Sequence, residues 1–271
     1  MIDFNELYKK AKWVRKETLK LHKRAPGTRL ASSLSDVEIF VVLYYGGILK
    51  YNPKDIYSED RTRFIISKGH GAISIYPILA DLKFYNMSEL DKISTEESFM
   101  ANIPDTMVPG FETINGSVGH GLGVAVGVAL ALKRKRNKVF VLCGDGELNE
   151  GSVWEAIMFA GFHKLGNLIL IIDNNKLSML GYQKDILGLE PLEEKFKVFN
   201  WKTTRVNGHD IKALYNQIIK FERDRENKPK VIIADTIKGK GVPSLEKDKL
   251  SHVRILSSDE VDSILKKFYG E

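Results

Sequence analysis

The feature that most constrains this sequence is a strand–helix–strand pattern in its centre. Residues 138–143 and 168–173 are short apolar runs, each of the length of one buried strand. Between them, residues 150–163 have the length and apolar spacing of a helix. Strands joined by such a crossover are parallel, and the crossover is right-handed. The pattern therefore predicts an α/β fold with a parallel sheet.

Segments on both sides of this unit extend the sheet and its helices. Further strands are predicted at residues 64–67, 203–206 and 231–235, and further helices at 4–22, 36–45, 73–82 and 211–222. Ser35 is expected to cap the second of these helices, with Glu38 completing a capping box. No stretch has the length and composition of a linker. We therefore expect one doubly wound parallel-sheet domain over residues 1–271, with residues 245–271 as its C-terminal extension.

Residues 116–132 form an unusual segment rich in glycine, alanine and valine. The segment is apolar on every side and too short to span a membrane. Such a helix is buried all round, either in the core or against another subunit.

Composition argues against several classes of protein. The first ten residues are charged and lack the apolar run of a signal peptide, and the apolar run at 39–49 is too short for a membrane span. The single cysteine, Cys143, excludes an intrachain disulfide and is expected to be buried. We therefore expect a cytoplasmic protein that does not bind a membrane.

The formal net charge of +6 does not indicate a nucleic-acid-binding protein. The lysines and arginines are spread along several helices and turns, beside glutamates, rather than clustered with aromatic residues. Solvated helix faces explain this distribution better than a nucleic-acid site.

Three polar clusters follow predicted strands, where ligands bind in open parallel sheets. They are Ser-Lys-Gly-His-Gly at 67–71, Gly-Asp-Gly-Glu-Leu-Asn-Glu-Gly at 144–151 and Asp-Asn-Asn-Lys-Leu at 173–177. The middle cluster begins a helix, so its amides and glycines can approach phosphate oxygens.

Phosphate alone does not explain Asp145, whose negative charge would repel it. A divalent cation between the two removes this conflict. Asp145 and Asn175 would each place an oxygen at the end of one of two neighbouring strands, and Mg²⁺ prefers oxygen ligands. The sequence therefore predicts a Mg²⁺-diphosphate site, although each residue taken singly is also compatible with a turn-capping role.

These motifs resemble those of thiamine-diphosphate enzymes, and of transketolases in particular. The Gly-Asp-Gly at 144–146, a helix and a strand ending in Asn174-Asn175 are similar to the thiamine-diphosphate signature. The fuller segments at 67–71, 116–127, 144–156, 164–169 and 235–241 are similar to transketolase motifs and follow the family order. The resemblance covers essentially the whole chain. It implies the diphosphate-binding (PP) domain of a transketolase.

The resemblance also implies roles for individual residues. The metal, Mg²⁺ or alternatively Ca²⁺ or Mn²⁺, would be held by Asp145, the Asn175 side chain and the Leu177 carbonyl. Thiamine diphosphate would be contacted by residues of five segments: His70, Gly116, Val118, Gly144, Gly146, Glu147, Met179 and His252. Glu150 and Glu155 match acids that link paired active sites at a subunit interface. Structural roles stay open for His70 and His252, and a plain surface role for Glu155.

Two positions depart from the family pattern on the substrate side. The histidines of two Gly-His-Pro motifs are replaced by Arg29 and Ile103. Arg29 is suited to bind a carboxylate, phosphate or sulfonate in a bidentate manner, or it is a surface loop residue. The exchange argues against ordinary pentose-phosphate transketolase activity and favours a variant ketol transferase.

In this family the glutamate that activates the cofactor lies on a pyrimidine-binding domain, which we do not find before the end of the sequence at Glu271. We therefore expect a separate pyrimidine-binding subunit, an α₂β₂ assembly and small sugar substrates. The expected reaction is transfer of a two-carbon ketol unit from a ketose donor to an aldehyde. A 2-oxoacid decarboxylase or dehydrogenase E1 subunit, or a non-catalytic partner, is the alternative.

Overall fold

The computed structural model describes residues 2–114 and 116–270. Its centre is a sheet of five strands in the order β1-β2-β3-β5-β4, and every pair is parallel. The strands are β1 (Arg63–Ile66), β2 (Val139–Gly144), β3 (Leu168–Asn174), β4 (Lys202–Asn207) and β5 (Lys230–Asp235). The predicted parallel α/β fold is confirmed.

The described part of the chain contains eleven α-helices. They are α1 (Phe4–Arg24), α2 (Leu30–Ser35), α3 (Val37–Tyr45), α4 (Ile75–Asp81), α5 (Gly121–Ala131), α6 (Gly151–Phe162), α7 (Gln183–Ile186), α8 (Leu192–Val198), α9 (Ile211–Arg223), α10 (Pro243–Glu246) and α11 (Ser258–Ile264). A five-residue π-helical turn, Leu265–Tyr269, follows the last of them.

The strands send alternate side chains to opposite faces of the sheet. On β2, Phe140 and Leu142 belong to a buried cluster with residues of α1, α3, α4 and α9. Val139, Val141 and Cys143 belong to a second cluster with residues of α5, α6 and α8. The sheet is therefore covered on both faces, as its continuous apolar strands require. Cys143 is fully buried, as expected.

Helix α5 differs from its prediction. Its inner face packs on the sheet through Leu122, Ala125 and Ala129. Its outer face is exposed and carries Gly123, Val124, Gly127 and Leu130. Burial on every side within this chain is therefore wrong for the outer face, while burial of that face against another subunit stays a prediction.

The predicted capping box at the start of α3 is also wrong. The N-cap residue is Asp36, without a side-chain capping hydrogen bond, and Ser35 is the last residue of α2. Ser35 Oγ donates instead to Asp173, and the Glu38 carboxylate accepts from Arg15. Both side chains therefore bond to buried charged residues that are distant in sequence instead of capping α3.

The C-terminal segment packs on the first two helices. Val261 and Leu265 share a buried cluster with Leu19 of α1 and with Leu30 and Leu34 of α2.

Within the described residues, no helix combines the length and apolar character needed to cross a membrane.

His22 joins this C-terminal segment to the end of α1. Its Nδ1 lies 2.8 Å from Thr28 Oγ1, whose own hydroxyl proton goes to the Ala25 carbonyl, so His22 Nδ1 is the donor. His22 Nε2 accepts from the Leu256 N–H at 3.2 Å. The fully buried ring is thus held as the neutral tautomer, and burial lowers the pKa of His22 to about 4.

We expect this histidine to make stability pH-dependent. Because the folded-state pKa lies below the ordinary 6.5, the stabilisation is complete above pH 6.5 and is lost as the pH falls towards 4. The shift corresponds to at most about 3 kcal/mol. Urea unfolding at pH 7.5, 5.5 and 4.5 should show a smaller loss for His22→Gln than for the wild type. The exposed His120→Gln serves as control, and equal losses in wild type and His22→Gln would refute the assignment.

Candidate functional site

One buried carboxylate, Glu147, joins the segments that follow β1 and β2 to the segment before α5. It lies in a 3-10 turn, Gly146–Asn149, directly after β2. Its side chain accepts from Ser67 Oγ and from the backbone N–H groups of Gly119 and Gly144, the latter two at 2.8 and 3.3 Å. These contacts hold the glycine-rich segment in place. A direct cofactor contact by Glu147 stays a prediction.

A fully buried ion cluster lies beneath the ends of the strands. Lys68 Nζ bonds both Asp36 oxygens, at 3.1 and 3.0 Å, and also Asp173. Burial and the charge of Asp173 hold the pKa of Asp36 well above its usual range. Burial also disfavours the charged form of Asp173, but the Lys68 charge and hydrogen bonds from Lys68, Thr236 and Ser35 outweigh it and lower the pKa of Asp173. Asp173 is therefore the ionised partner of Lys68, and Asp36 is the carboxyl that more readily takes a proton.

Asp173 also orients Asn175, two residues further on. Asn175 Nδ2 donates to Asp173 Oδ2 at 2.7 Å, and Asn175 Oδ1 accepts from the Leu177 N–H at 3.1 Å. Lys176 between them has a φ of +64°, which turns the chain sharply after β3. The amide orientation of Asn175 is thus fixed by a buried charge.

Asp145 lies beside this turn, at the end of the neighbouring strand. The register aligns Gly144 with Asp173, so β2 and β3 deliver Asp145 and Asn175 to the same edge. Asp145 accepts from the backbone N–H groups of Gly146 and Lys176. Burial, and then the charge of Asp173, raise the pKa of Asp145 to about 6. A nearby cation would favour its ionised form.

Two histidines and a lysine form the other side of this edge. The rings of His70 and His252 lie 5.1 Å apart, centroid to centroid. Lys238 is buried, and its Nζ lies 2.8 Å from the Leu177 carbonyl oxygen and 3.1 Å from His252 Nδ1. Because an ammonium only donates, His252 Nδ1 accepts and its N–H is on Nε2.

Both imidazoles are neutral at pH 7. Burial and then the charge of Lys68 lower the pKa of His70 to about 3. Burial and then the charges of Lys238 and Arg29 lower the pKa of His252 to about 3. Burial and the charge of Lys68 lower the pKa of Lys238 to about 8, which leaves it mostly charged at pH 7. The site is therefore rich in hydrogen-bond donors and suited to an anion.

The residues present fit a metal-bound diphosphate. Asp145, the Asn175 amide and the Leu177 carbonyl are oxygen donors of the kind Mg²⁺ prefers, and Mg²⁺ commonly completes its shell with phosphate oxygens and water. Among the described residues, no group of three or more His, Cys, Asp or Glu side chains is placed to hold a metal. A metal held by Asp145, the Asn175 amide and the Leu177 carbonyl would therefore complete its shell with oxygens from outside this set, such as phosphate or water.

A buried amide beside Gly146 supports the same conclusion. Gln183 Nε2 is buried and has no hydrogen-bond partner within the described residues. A β-carbon added at Gly146 would lie 3.3 Å from this nitrogen, so the glycine keeps the approach open. An acceptor such as a phosphate oxygen would satisfy the amide.

The remaining predicted residues lie around this centre. Gly116 is exposed and Val118 half-buried in the segment before α5, and Met179 is 51% exposed in the turn after β3. Glu150 and Glu155 are exposed at the start of α6 and one turn later. Within the described residues, no hydrogen bond or ion pair joins these five residues to Asp145 or Asn175.

The two substrate-side positions differ from each other. Arg29 is half-buried at the N-cap of α2, and its charge acts on both His70 and His252. It forms no ion pair with any described residue. Ile103 is 38% exposed in the loop that leads towards α5. Of these two positions, only Arg29 is close enough to the histidine pair for its charge to lower their pKa values.

The sequence matches the family model of the transketolase thiamine diphosphate binding domain over residues 19–271. The chain belongs to the transketolase family. An apulose-4-phosphate transketolase subunit of Actinobacillus succinogenes is 38% identical over 274 residues, which cover 100% of this chain and 98% of that protein. A 6-deoxy-6-sulfo-D-fructose transketolase subunit of a Clostridium species is 34% identical over 258 residues, covering 91% of this chain and 90% of that protein.

The fold of the transketolase from Campylobacter jejuni is also similar. It matches with a TM-score of 0.90 and 28% identity, covering 99% of this chain and 43% of that one. This chain therefore spans less than half of that transketolase. The predicted membership of the transketolase family is confirmed.

The structure adds site residues that the sequence motifs did not assign. Lys238 lies within the motif at 235–241, but only the fold shows its ammonium beside Leu177 and His252. Gln183 carries no sequence signal, because its buried amide depends on the path of the chain after β3. Lys68 and Asp173 lie within the polar clusters, and their pairing depends on how β1 and β3 flank β2.

Proposed function

We propose that this chain is the diphosphate-binding subunit of a two-chain, thiamine-diphosphate-dependent transketolase. In this proposal it transfers a two-carbon ketol unit from a ketose donor to an aldehyde acceptor, together with a pyrimidine-binding partner. The observation that carries the proposal is the edge where Asp145, Asn175 and the Leu177 carbonyl meet beside the donors of His252 and Lys238.

Each residue has a defined task in this proposal. Asp145, the Asn175 side chain and the Leu177 carbonyl hold Mg²⁺, while His70, His252 and the backbone around Gly146 donate to the diphosphate. Bound thiamine diphosphate supplies the carbanion chemistry of the reaction. Because the two imidazoles are neutral, they bind the diphosphate without adding positive charge that would compete with the metal.

A separate partner chain is supported by the relatives and by the surface. Two similar proteins that align over most of their length are named as transketolase subunits. The outer faces of α5 and α6 expose apolar side chains without a covering element: Val124, Leu130, Met158, Phe159 and Phe162. Glu150 and Glu155 lie on α6 and would join this interface in an α₂β₂ assembly.

The substrate is proposed to carry an anionic group near the histidine pair. Arg29 has no acidic partner among the described residues, and its charge acts on both His70 and His252. The two relatives are named for a sugar phosphate and for a sulfonated sugar. Both anions match the planar guanidinium, whereas Ile103 offers only an apolar contact.

The test is reconstitution of the full chain with its pyrimidine-binding partner, thiamine diphosphate and Mg²⁺. We expect ketol transfer from phosphorylated or sulfonated ketoses to an aldehyde, with KM for these donors raised in Arg29→Ala and little changed for neutral ketoses. Release of CO₂ from a 2-oxoacid without ketol transfer would support the alternative E1-type function. Absence of cofactor binding in a complex shown to form would support the non-catalytic alternative.

A further inference from the structure

The turn at residues 237–240 places Lys238 in the proposed cofactor site. Lys238 is 6% exposed, and its ammonium bridges the Leu177 carbonyl and His252 Nδ1. These two groups belong to different segments of the chain, one after β3 and one in the C-terminal part. The backbone position of the turn therefore determines whether one ammonium reaches both.

Side chains from distant elements hold this turn at both ends. The Ile237 N–H donates to His209 Nε2 at 2.8 Å, and Arg15 Nε donates to the Lys240 carbonyl at 3.0 Å. Between these ends, the Gly239 N–H donates to the Ala31 carbonyl at 2.9 Å, and Gly239 has a φ of +78°.

Both holding side chains meet at Glu38. Its Oε2 accepts from Arg15 Nη2 at 2.6 Å and lies 2.9 Å from His209 Nδ1. Because His209 Nε2 accepts from the Ile237 amide, the neutral ring carries its proton on Nδ1 and donates it to Glu38. The tautomer of His209 is thus fixed by its two partners.

The cluster of Arg15, Glu38 and His209 is buried and charged. The side chains of the three residues are 9%, 7% and 12% exposed. Burial alone would raise the pKa of Glu38, but the Arg15 charge and the hydrogen bonds from His209 and Arg15 outweigh it and lower the pKa to about 2. Glu38 is therefore ionised and anchors both donors at neutral pH.

We propose that His209 is a positioning residue for cofactor binding, which acts through the Ile237 amide on Lys238. The proposal rests on the function proposed above and deepens it, since it extends the cofactor site to residues behind the turn. His209 does not touch the diphosphate edge itself. Its effect passes through the 237–240 backbone.

Two substitutions separate the two hydrogen bonds of His209. In His209→Gln the side-chain amide reaches the position of Nε2 and can still accept from the Ile237 N–H. In His209→Asn the amide reaches only the position of Nδ1, so it can donate to Glu38 but no longer holds Ile237. We expect His209→Asn to weaken thiamine diphosphate binding in Mg²⁺ by about five- to tenfold, and His209→Gln by less than about twofold.

Hydrogen exchange tests the hydrogen bond without any cofactor. The Ile237 amide should exchange faster in His209→Asn than in the wild type, and at the wild-type rate in His209→Gln. Equal exchange in all three proteins would overturn the proposed contact. Urea unfolding of each variant shows whether an altered affinity comes from global destabilisation.

Calorimetric titration of the full chain with thiamine diphosphate and Mg²⁺, alone and with the partner chain, then tests the coupling. If His209 acts through Lys238, His209→Asn should add little loss of affinity in a Lys238→Met background. Additive losses, or equal affinities of His209→Asn and wild type, would overturn the positioning role. Failure of the wild-type complex to bind thiamine diphosphate would instead overturn the proposed function, and the role of His209 with it.

Discussion

Asp145→Asn is expected to weaken Mg²⁺-dependent binding of thiamine diphosphate by at least about a hundredfold. The substitution removes the negative charge from the proposed metal site. It also retains an oxygen for only one of the Gly146 and Lys176 N–H groups, which bond to different oxygens of Asp145. Titration calorimetry with and without Mg²⁺ measures the effect. In the wild type, Mg²⁺ should strengthen binding strongly, whereas the variant should bind equally weakly under both conditions.

Asp235→Asn is a matched control for this experiment. Asp235 also lies at the end of a strand, and its carboxylate accepts from Asn174 Nδ2 and Arg205 Nη1 at 2.7 and 3.0 Å. The Asp235→Asn variant should be somewhat less stable than the wild type, but its binding of thiamine diphosphate should still depend on Mg²⁺. The assignment of Asp145 as a metal ligand would be contradicted if both variants lost the Mg²⁺ dependence to a similar extent. It would also be contradicted if neither variant lost it.

The stability of the metal-free protein shows whether the Asp145 carboxylate stabilises the fold or is suited to bind a metal. Burial beside Asp173 raises the pKa of Asp145 from its ordinary 3.8 to about 6, so this carboxyl makes the folded chain less stable as the pH rises from about 4 to about 6. Without metal, urea unfolding should therefore show the wild type losing stability relative to Asp145→Asn between pH 4 and pH 7. A stability difference that stays constant over this range, or that moves the other way, would indicate that the fold itself stabilises the Asp145 carboxylate.

Lys68→Met is expected to reduce the free energy of unfolding by about 3–5 kcal/mol. The side chains of Lys68, Asp36 and Asp173 are 3%, 0% and 0% exposed, so water cannot replace the lost ammonium. The variant would leave two buried carboxyls without their cation. Urea denaturation at pH 7 measures the cost.

Lys23→Met is the matched control, because Lys23 pairs with Asp262 at the surface, where the side chains are 39% and 54% exposed. Such a pair contributes about 0–1 kcal/mol. Adding Asp36→Asn to Lys68→Met should recover part of the lost stability, since it removes one of the two unpaired carboxyls. Comparable effects of the two lysine substitutions would show that the buried cluster is not a stabilising unit.

The fold could be predicted from the sequence because the central strands are buried on both faces. The apolar runs that became β2 and β3 are continuous and bounded by glycine or asparagine, which makes their type and position readable. By contrast, no helix was predicted at α2, whose six residues are too few to show a helical period. Its burial depends on the C-terminal segment, which lies far away in the sequence.

The site was predictable only where local motifs carry the chemistry. Asp145 and Asn175 follow strands that pair, so their proximity could be inferred from the order of the motifs. The role of Glu38 was misjudged, because its three-residue spacing from Ser35 fits a capping box equally well. Its partners Arg15 and His209 are remote in sequence, and no local pattern links them to Glu38.

The outer face of α5 has a consequence for the chain before it meets its proposed partner. A β-carbon at Gly123 or Gly127 would have no atom of the described residues within 4 Å, and alanine there would favour the helix by about 1 kcal/mol at each position. The two glycines therefore make α5 less stable than alanines would, although the fold has room for alanine. Because glycine has no side chain, another polypeptide backbone can approach the helix closely at both positions. Under the proposed function, the α5 region of this chain is left weaker than its fold requires until the partner arrives. Production of the two chains in equal amounts would then protect this one from unfolding and degradation.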